Sequence, residues 1–577
     1  MYLRETRRTN KDGSVVSYLQ LAHNERHRVT GSPVAKVIHN FGRADKVDRE
    51  ALARLVSSIS RFLEPAEAMS ATEGSEVEIV DSRRFGGAYV LDEIWHRLGI
   101  ARALMDAAGG RRLSGEIVER VLFGLVAQRC LEPASKLACV SWVQERVAIR
   151  SCPGFDDQAA YAAMDFLLDA LADIAKGIFD RTANLLNLSC DVIFVDTSST
   201  YFEVDVADEE VELVTATQGE ASSTGATQAV VPDEAASRQF SKHSKDHRPD
   251  LPQVVIAMAV TAEGIPIRCW TFPGTTSDQL VIRRIKDDLG AWMLHRVIWV
   301  CDSGFNSATN RAYLQRGGEH YIVAEKLRSA SADAKKALAQ PGRYHAVEGN
   351  LQVKEVRVGD GARAQRFVVC VNPEAKARDE IVRANLVAYL ERRIAGSDEW
   401  SKERRDELVG ELRGTPGLAR FCRRTKDHRL RVDKAAIDRD AHFDGKWLIR
   451  TSDDTLTPAD LAKAYKQLYQ VEHGWRDLKG ALRLRPVFHH RTDRIRSHIQ
   501  LCWLALLLIR VIENATGDTW RNVRNELDRM HLVTLGTGEG RIAKRSVTTK
   551  AQQKILAALE VREPAQILDY ELPTPAE

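Results

Sequence analysis

The most regular amphipathic pattern in the second half of the chain runs from Thr457 to Lys479. Its apolar residues recur at the 3.6-residue spacing of an α-helix. Thr457 is a favourable N-cap, and proline follows at the first helical position. Glu472 interrupts the apolar stripe, and a buried carboxylate is costly unless it is paired or binds a cation. An ion pair with Lys479 or a nearby arginine, and a metal site, therefore both remain open. The predicted inward stripe comprises Leu461, Tyr465, Leu468, Glu472, Trp475 and Lys479.

Two short, continuous apolar runs predict buried strands, and an aspartate follows each of them. Val192–Val195 precedes Asp196, and Val297–Cys301 precedes Asp302; strand character resumes at Tyr201–Val204. Catalytic groups in sheet-built sites commonly lie at strand ends. Parallel central strands would place the two carboxylates side by side. The structural alternative for Asp196 is a turn residue that caps the polar segment after it.

The remaining patterns predict an α/β protein with additional regions on either side of its core. Residues 88–188 read as successive amphipathic helices, whereas Ser17–Ala22 and Pro33–Phe41 read as strands, with a helix expected over Asp48–Leu63. We expect the C-terminal part to be weakly helical with a polar tail. The predicted regions are 1–80, a small β-rich region with a linker, which is either a DNA-end-binding module or simply a charged β-domain; 81–189, an all-α domain; 190–326, the first part of the core; 327–445, a β-rich insertion separate from the core; 446–515, the rest of the core; and 516–577, the C-terminal region.

The distribution of charge along the chain says more about the class of protein than the overall composition does. The net charge is only +3, but residues 476–498 hold seven Lys and Arg against two Asp, and the segment 203–237 holds nine acids with no Lys or Arg. Such segregation suits a polyanion as the partner of the basic parts, and we read the acidic loop 205–236 as flexible. Nine scattered cysteines without a CxxC pair indicate a reducing compartment and no zinc site.

The sequence shows neither a secretory signal nor a membrane span. The start, MYLRETRRTNKDG, has no apolar core, and the longest apolar run, Leu501–Ile509, is too short to cross a bilayer. We therefore expect a cytoplasmic protein without a membrane partner.

Asp196, Asp302 and Glu472 together suggest a site for hard divalent cations. Mg²⁺ and Mn²⁺ prefer oxygen ligands, and two such ions can stabilise both the attacking and the leaving oxygen of a phosphodiester displacement. Basic residues near three acids would hold DNA phosphates. One such group lies in the turn SKHSKDHRPDLPQ, residues 241–253, which contains Lys245 and Arg248.

The order of four motifs resembles the DDE-type insertion-sequence transposases. The motifs are FVDTSSTYFE with Asp196, SKDHRPDLPQ, VCDSGF with Asp302, and a Tyr-x2-Arg-x3-Glu-x6-Lys signature carried by Tyr465, Glu472 and Lys479. Leu468 replaces the signature arginine, so we expect Arg476 or Arg450 to supply that phosphate contact. The resemblance covers about residues 190–512.

This resemblance implies an RNase H-like (retroviral-integrase-like) catalytic core with a β-rich insertion, and cut-and-paste transposition. Asp196, Asp302 and Glu472 would ligate two Mg²⁺ or Mn²⁺ ions. The substrates would be the double-stranded terminal inverted repeats and target DNA, a hairpin end would be an intermediate, and a homodimer would assemble on DNA in the bacterial nucleoid. The residues expected to contact DNA are Lys245, Arg248, Tyr465, Arg476, Lys479, Arg483, Arg485, Arg491 and His498.

Three other functions compete with transposition. A nuclease with the same fold would cut DNA without joining it, and a transposase-derived protein could bind DNA without catalysis. Glycoside hydrolysis needs only two carboxylates and explains none of the basic clusters.

Overall fold

A computed structural model describes residues 2–11, 14–27, 32–48, 52, 55, 78–111, 114–188, 190–208, 235–242, 244–292, 296–347, 349–361, 364–537 and 540–571. The chain divides into two compact units: Met1–Val80, Thr534–Ala543 and Asp569–Glu577 form one, and Asp81–Val533 with Lys544–Leu568 form the other. Most of the predicted helix Asp48–Leu63, most of the linker 64–80 and most of the acidic loop 205–236 lie outside the described residues.

The first unit contains a three-stranded antiparallel sheet in the order β1-β2-β3. The two strands predicted near the N-terminus are present and longer than expected. The first strand carries mostly exposed charged residues, so no apolar alternation revealed it in the sequence. The strands are β1 (Tyr2–Thr9), β2 (Val15–Arg26) and β3 (Pro33–Arg43).

The region predicted to be helical is helical, and its apolar side chains join the same core as the central sheet. Ser135 and Asp156 cap two of its helices by accepting hydrogen bonds from Ala138 N and Ala159 N. The helices are α1 (Gly86–Arg97), α2 (Ile100–Ala108), α3 (Gly115–Leu131), α4 (Lys136–Ser141), α5 (Asp157–Asp169) and α6 (Leu171–Leu186).

A nine-stranded mixed sheet forms the centre of the second unit, in the order β10-β11-β12-β15-β9-β8-β5-β6-β7. β5, β8 and β9 are parallel to one another, whereas the other neighbours are antiparallel. The strands are β5 (Val192–Tyr201), β6 (Gln253–Val260), β7 (Pro266–Pro273), β8 (Ile298–Cys301), β9 (His320–Glu325), β10 (His345–Ala346), β11 (Gln352–Val358), β12 (Gln365–Val371) and β15 (Lys446–Thr451).

The prediction that Asp196 ends its strand is wrong. β5 continues through Asp196 to Tyr201 because its far half pairs with β6, from Phe194 to Tyr201. Pairing with β8 covers only Val192–Val195. Asp196 therefore follows the last residue of the parallel ladder while remaining inside a strand.

The prediction that the insertion forms a β-rich subdomain separate from the core is also wrong. Its strands β10, β11 and β12 extend the central sheet, because β12 pairs with β15. The rest of the insertion is mainly helical and has a small core of its own. Its elements are α9 (Ala332–Ala339), α10 (Pro373–Ile394), α11 (Lys402–Arg413), α12 (Pro416–Ala419), α13 (Lys434–Ala441) and the hairpin β13 (Cys422–Arg424) and β14 (Leu430–Val432).

Several helices connect or cover the strands, and one of them is almost wholly buried. Thr492–Thr516 is long and apolar enough to cross a membrane by length and composition, but 94% of its apolar window is buried against protein. It packs on α3, α5 and β7, as a core helix does. These helices are α7 (Asp278–Gly290), α8 (Ala308–Leu314), α14 (Pro458–Lys466), α15 (Tyr469–Lys479), α16 (Thr492–Thr516), α17 (Trp520–Leu527) and α18 (Lys550–Ala558).

The C-terminal part contains strands that the sequence did not reveal. The boundary between the two units falls within or beside them along the chain. These strands are β16 (His531–Thr537), β17 (Gly540–Arg545) and β18 (Ile567–Glu571). A further strand that the sequence did not reveal, β4 (Glu78–Arg84), lies at the end of the predicted linker.

A buried ion pair joins three neighbouring strands of the central sheet. Arg450 on β15 has a side chain that is 2% exposed, and its Nε lies 2.7 Å from Oε1 of Glu325 on β9. Its guanidinium also lies over the ring of Phe367 on β12. The expectation that Arg450 contacts a DNA phosphate is therefore wrong, because this side chain is committed to the interior.

Replacing Arg450 with alanine should lower the free energy of unfolding by about 3–5 kcal/mol, because Glu325 would remain buried without its partner. Arg357→Ala is the matched control. It breaks an exposed pair with Asp454 and should cost no more than about 1 kcal/mol. Denaturant unfolding followed by tryptophan fluorescence measures both. Equal losses in the two variants would contradict the structural role of the buried pair.

Candidate active site

Strand register brings Asp196 and Asp302 next to each other. Val195 and Cys301 are the last paired residues of the parallel ladder between β5 and β8, so each aspartate directly follows the end of that ladder. Asp302 is exposed and begins the short helical turn Ser303–Phe305. The Asp196 side chain is only 18% exposed. The two carboxylates thus meet where the parallel part of the sheet ends, as the sequence predicted.

Helices α14 and α15 bring Tyr465 and Glu472 to the same place. The predicted single helix is broken by a turn at residues 467–468, and α15 packs on β5 and β6. The Tyr465 hydroxyl lies 3.3 Å from Oδ1 of Asp302, to which it donates a hydrogen bond. Burial raises the pKa of Tyr465, and the charges of Asp302, Glu472 and Asp196 raise it further. The negative charges of three carboxylates therefore oppose ionisation of the Tyr465 hydroxyl.

The inference that Glu472 lies on a buried face is wrong. Its neighbours on the stripe, Leu468 and Trp475, are buried, but Glu472 is exposed. Glu472 alone among these three faces away from the apolar core, so no large desolvation cost applies to it. The suspected partner Lys479 instead forms an ion pair with Asp246, 2.7 Å from Nζ to Oδ1.

A fourth acid, Asp278, belongs to this cluster and was missed in the sequence. It opens helix α7, and its Oδ1 accepts a hydrogen bond from Thr197 Oγ1 at 2.5 Å. A Cβ atom added to Gly304 would lie 2.5 Å from Asp278 Oδ2, so a larger residue in the turn after Asp302 would push the Asp278 carboxylate aside. An acid in the first turn of a helix is common, and nothing else in the sequence distinguished Asp278.

The ammonium group of Lys245 lies among these carboxylates. Its Nζ is 3.6 Å from Asp196 Oδ1 and 3.4 Å from Asp278 Oδ2, and it donates to the backbone oxygen of Thr197 at 2.7 Å. Burial nevertheless raises the pKa of Asp196 to about 6; Lys245 opposes the shift, while Asp302 and Asp278 add to it. The site holds more negative charge than its single lysine offsets.

Two of the basic residues expected to bind DNA converge on one buried carboxylate. Asp246, whose side chain is 6% exposed, lies 2.7 Å from Lys479 Nζ and 2.8 Å from Arg485 Nη1. Burial lowers the pKa of Lys479. The guanidinium of Arg485 also stacks over Tyr201, 4.9 Å from the ring centroid. A cleft of about 480 Å³ opens beside this pair, between the end of β5 and residues 485–490.

The other predicted DNA contacts are spread over the surface around this cleft. Arg248 pairs with Asp250 at 2.8 Å, and Arg491 pairs with Asp493. Arg476 and Arg483 are exposed. These residues stay candidates for phosphate contacts, because an exposed basic side chain can bind a phosphate and one in a surface ion pair can readily exchange its carboxylate partner for a phosphate.

His498 cannot contact DNA where the structure places it, so that expectation is wrong. It is 3% exposed, and its Nε2 lies 3.0 Å from the backbone oxygen of Leu484. Nζ of Lys136 lies 2.9 Å from its Nδ1. Burial and this cation hold the pKa of His498 well below its ordinary value, so His498 is a neutral interior residue that fixes the loop before α16.

The donor chemistry of the cluster fits a hard divalent cation that needs the substrate to complete its coordination. Within the described residues, no three His, Cys, Asp or Glu side chains converge closely enough to hold a metal by themselves. Mg²⁺ usually takes only one or two carboxylates, with water and substrate phosphates as further ligands. Asp196 and Asp302 are adjacent, and Glu472 is free to approach from α15.

The pH dependence of stability should reveal the strain at Asp196. Its pKa in the folded protein, about 6, exceeds the unfolded value of about 4. The cost of ionising it is therefore absent below about pH 4, grows up to about pH 6 and is complete above it. With EDTA present, Asp196→Asn should stabilise the protein by about 3 kcal/mol at pH 8 and by almost nothing at pH 4.

Asp454→Asn, which removes an exposed carboxylate, controls for the general effect of losing one negative charge. Unfolding curves at several pH values measure both variants. A stabilisation by Asp196→Asn that stays the same from pH 4 to pH 8 would contradict a buried ionised carboxylate.

Comparisons with known proteins match two parts of the chain to transposase families. Residues 3–71 match the N-terminal domain model of the IS1634 family of transposases. Residues 224–508 match the transposase DDE domain, a range that includes Asp302 and Glu472 and begins after Asp196. A search of curated proteins finds no match.

One similar solved structure is a piggyBac transposase synaptic complex with hairpin DNA. It has 9% sequence identity and a TM-score of 0.32, over 82% of this chain and 78% of that one. The two family matches lie in the expected order on either side of the helical region, and the mixed α/β sheet fits the RNase H-like fold that the DDE domain implies. The chain belongs to the DDE-type insertion-sequence transposases.

Proposed function

We propose that this transposase cuts DNA at the ends of its own insertion sequence and joins the freed ends to target DNA, by cut-and-paste transposition. The observation that carries the proposal is the register of β5 and β8, which places Asp196 beside Asp302 under the helix that carries Glu472. This is the arrangement that a metal-dependent phosphodiester displacement requires.

Each acid has a distinct part in this reaction. Asp196 and Asp302 would hold the divalent cations, Mg²⁺ or Mn²⁺, from the sheet, and Glu472 would complete the site from α15. Bound cations would activate the attacking oxygen and stabilise the leaving one. The hydroxyl of Tyr465, which donates to Asp302, would keep that carboxylate oriented.

The basic residues would hold the DNA so that the scissile phosphate reaches the carboxylates. Lys479 and Arg485 lie at the end of α15 and in the loop after it, and Arg248, Arg476, Arg483 and Arg491 would extend the contact along the backbone. Since phosphate contacts position DNA without reading its sequence, the N-terminal unit, which matches the family's N-terminal domain, would recognise the terminal inverted repeats.

The same proposal extends to the assembled complex. Two copies of the chain would bridge two element ends, and a hairpin end would form between cleavage and joining, as the family resemblance implies. The protein would act on DNA in the bacterial cytoplasm.

Glu472→Gln should reduce cleavage of end DNA in Mg²⁺ by about 100-fold or more, because the amide cannot supply the negative charge that a cation needs. Glu391→Gln, on an exposed face of α10, is the matched control and should cleave as the parent does. Gel analysis of labelled end DNA measures both. Parental cleavage by Glu472→Gln would refute the site.

Joining distinguishes the proposed function from a nuclease of the same fold. The parent protein, supplied with pre-cut ends and a supercoiled target plasmid, should form covalent end–target products in Mg²⁺. Cleavage without joining would identify a nuclease. DNA binding with neither activity would identify a non-catalytic derivative.

A further inference from the structure

Adjacent residues of opposite charge, Lys245 and Asp246, reach two different parts of the candidate site. Lys245 extends towards the carboxylates and Asp246 towards the basic residues. The turn that carries them is held on β5, because the backbone N–H of Lys245 donates to Ser199 Oγ at 3.1 Å. One short turn therefore supplies a cation to the acidic side and an anion to the basic side.

The surroundings of the Lys245 ammonium are those of a bound cation. Two oxygens of Thr197 accept its hydrogen bonds, and carboxylate oxygens of Asp278 and Asp196 lie 3.4 and 3.6 Å from Nζ. These four contacts are all to oxygen atoms, and two of them belong to carboxylates. Hard divalent cations prefer the same donors.

The Asp246 carboxylate holds the turn in place. It is almost fully buried between Lys479 and Arg485, at 2.7 and 2.8 Å. Buried, charge-assisted contacts of this kind resist exchange with solvent more than exposed pairs do. By contrast, the Lys245 side chain is 37% exposed and its carboxylate contacts are long. The anchor is therefore firm, and the long contacts of Lys245 with the two carboxylates are the ones that can exchange.

We propose that Lys245 is the resident counter-ion of the carboxylate cluster in the DNA-free protein, and that a divalent cation must displace its ammonium from Asp196 to bind. Asp246 is the anchor that keeps the lysine there. The inference rests on the proposed function, since it assumes that Asp196 is a metal ligand. It makes Lys245 a positioning residue that weakens metal binding until DNA arrives.

Displacement of Lys245 has a consequence for the DNA. Once it leaves the carboxylates, the ammonium becomes available beside the cations at the scissile position, where it can meet a phosphate oxygen. The expected contact between Lys245 and DNA is then made in the complex, while the free protein uses the same side chain to offset its own acids.

Binding of Mn²⁺ to the full-length protein without DNA tests the inference, with free Mn²⁺ followed by electron paramagnetic resonance. Lys245→Met should bind Mn²⁺ about tenfold or more tightly than the parent, because the competing charge is gone. Lys245→Arg keeps the charge and should bind as weakly as the parent. Lys242→Met, which removes an exposed lysine from the same segment, should match the parent.

A second measurement does not depend on the affinity itself. In EDTA, Lys245→Met should melt at a lower temperature than the parent, since its carboxylates lose their counter-ion. Mn²⁺ should then raise its melting temperature more than that of the parent. Affinity and thermal shift that are unchanged or smaller in Lys245→Met would overturn the inference.

The outcomes also separate this inference from the proposed function. Tighter Mn²⁺ binding by Lys245→Met together with parental cleavage by Glu472→Gln would support Lys245 as the resident counter-ion and refute the proposed reaction. Unchanged Mn²⁺ binding by Lys245→Met together with an inactive Glu472→Gln would refute only the proposed role of Lys245.

Discussion

The closeness of Asp196 and Asp302, fixed by four residue pairs between β5 and β8, is the constraint on which the candidate site depends. Two carboxylates that directly follow the last pair of the same parallel ladder repel each other, and the sheet does not let them separate. Burial adds to this repulsion at Asp196, whose pKa is raised to about 6. A site with this much unrelieved negative charge is stable only if cations offset it.

The negative charge at Asp196 can be offset by Lys245 or by a divalent cation, but not by both at the same time. In the free chain Lys245 approaches Asp196 and Asp278, and Tyr465 donates to Asp302. In the working complex, divalent cations and DNA phosphates would take over these contacts. The basic residues follow the same logic, since Lys479 and Arg485 are paired with Asp246 before any DNA is present. Charges that serve the reaction are thus kept neutralised inside the protein until substrate replaces the internal partners.

The sequence predicted the parts of the site that depend on local pattern. Apolar runs identified the strands before Asp196 and Asp302, and the amphipathic spacing identified the helix residues around Glu472. It could not show that β5 continues past Asp196, because that depends on pairing with β6, which lies more than fifty residues further along the chain. For the same reason the strands of the insertion were assigned to a separate subdomain, although they extend the central sheet.

The sequence predicts least well the role of a residue whose partner is distant along the chain. The motif resemblance suggests DNA contacts at Arg450 and His498, yet Glu325 and Lys136 hold these side chains in the interior. Asp278 carried no recognisable signal, because its neighbours in the site come from β5, the turn at Lys245 and the turn at Gly304. Only tertiary structure brings such residues together.

Cleavage of the polypeptide by iron-generated hydroxyl radicals tests most directly whether the three predicted acids share a cation. Fe²⁺ would replace Mg²⁺ in the complex with end DNA, and ascorbate with peroxide would cut the backbone close to the bound metal. Cuts should cluster near Asp196, Asp302 and Glu472 and disappear in Asp302→Asn. Cuts elsewhere, or the same cuts in Asp302→Asn, would contradict a shared metal site.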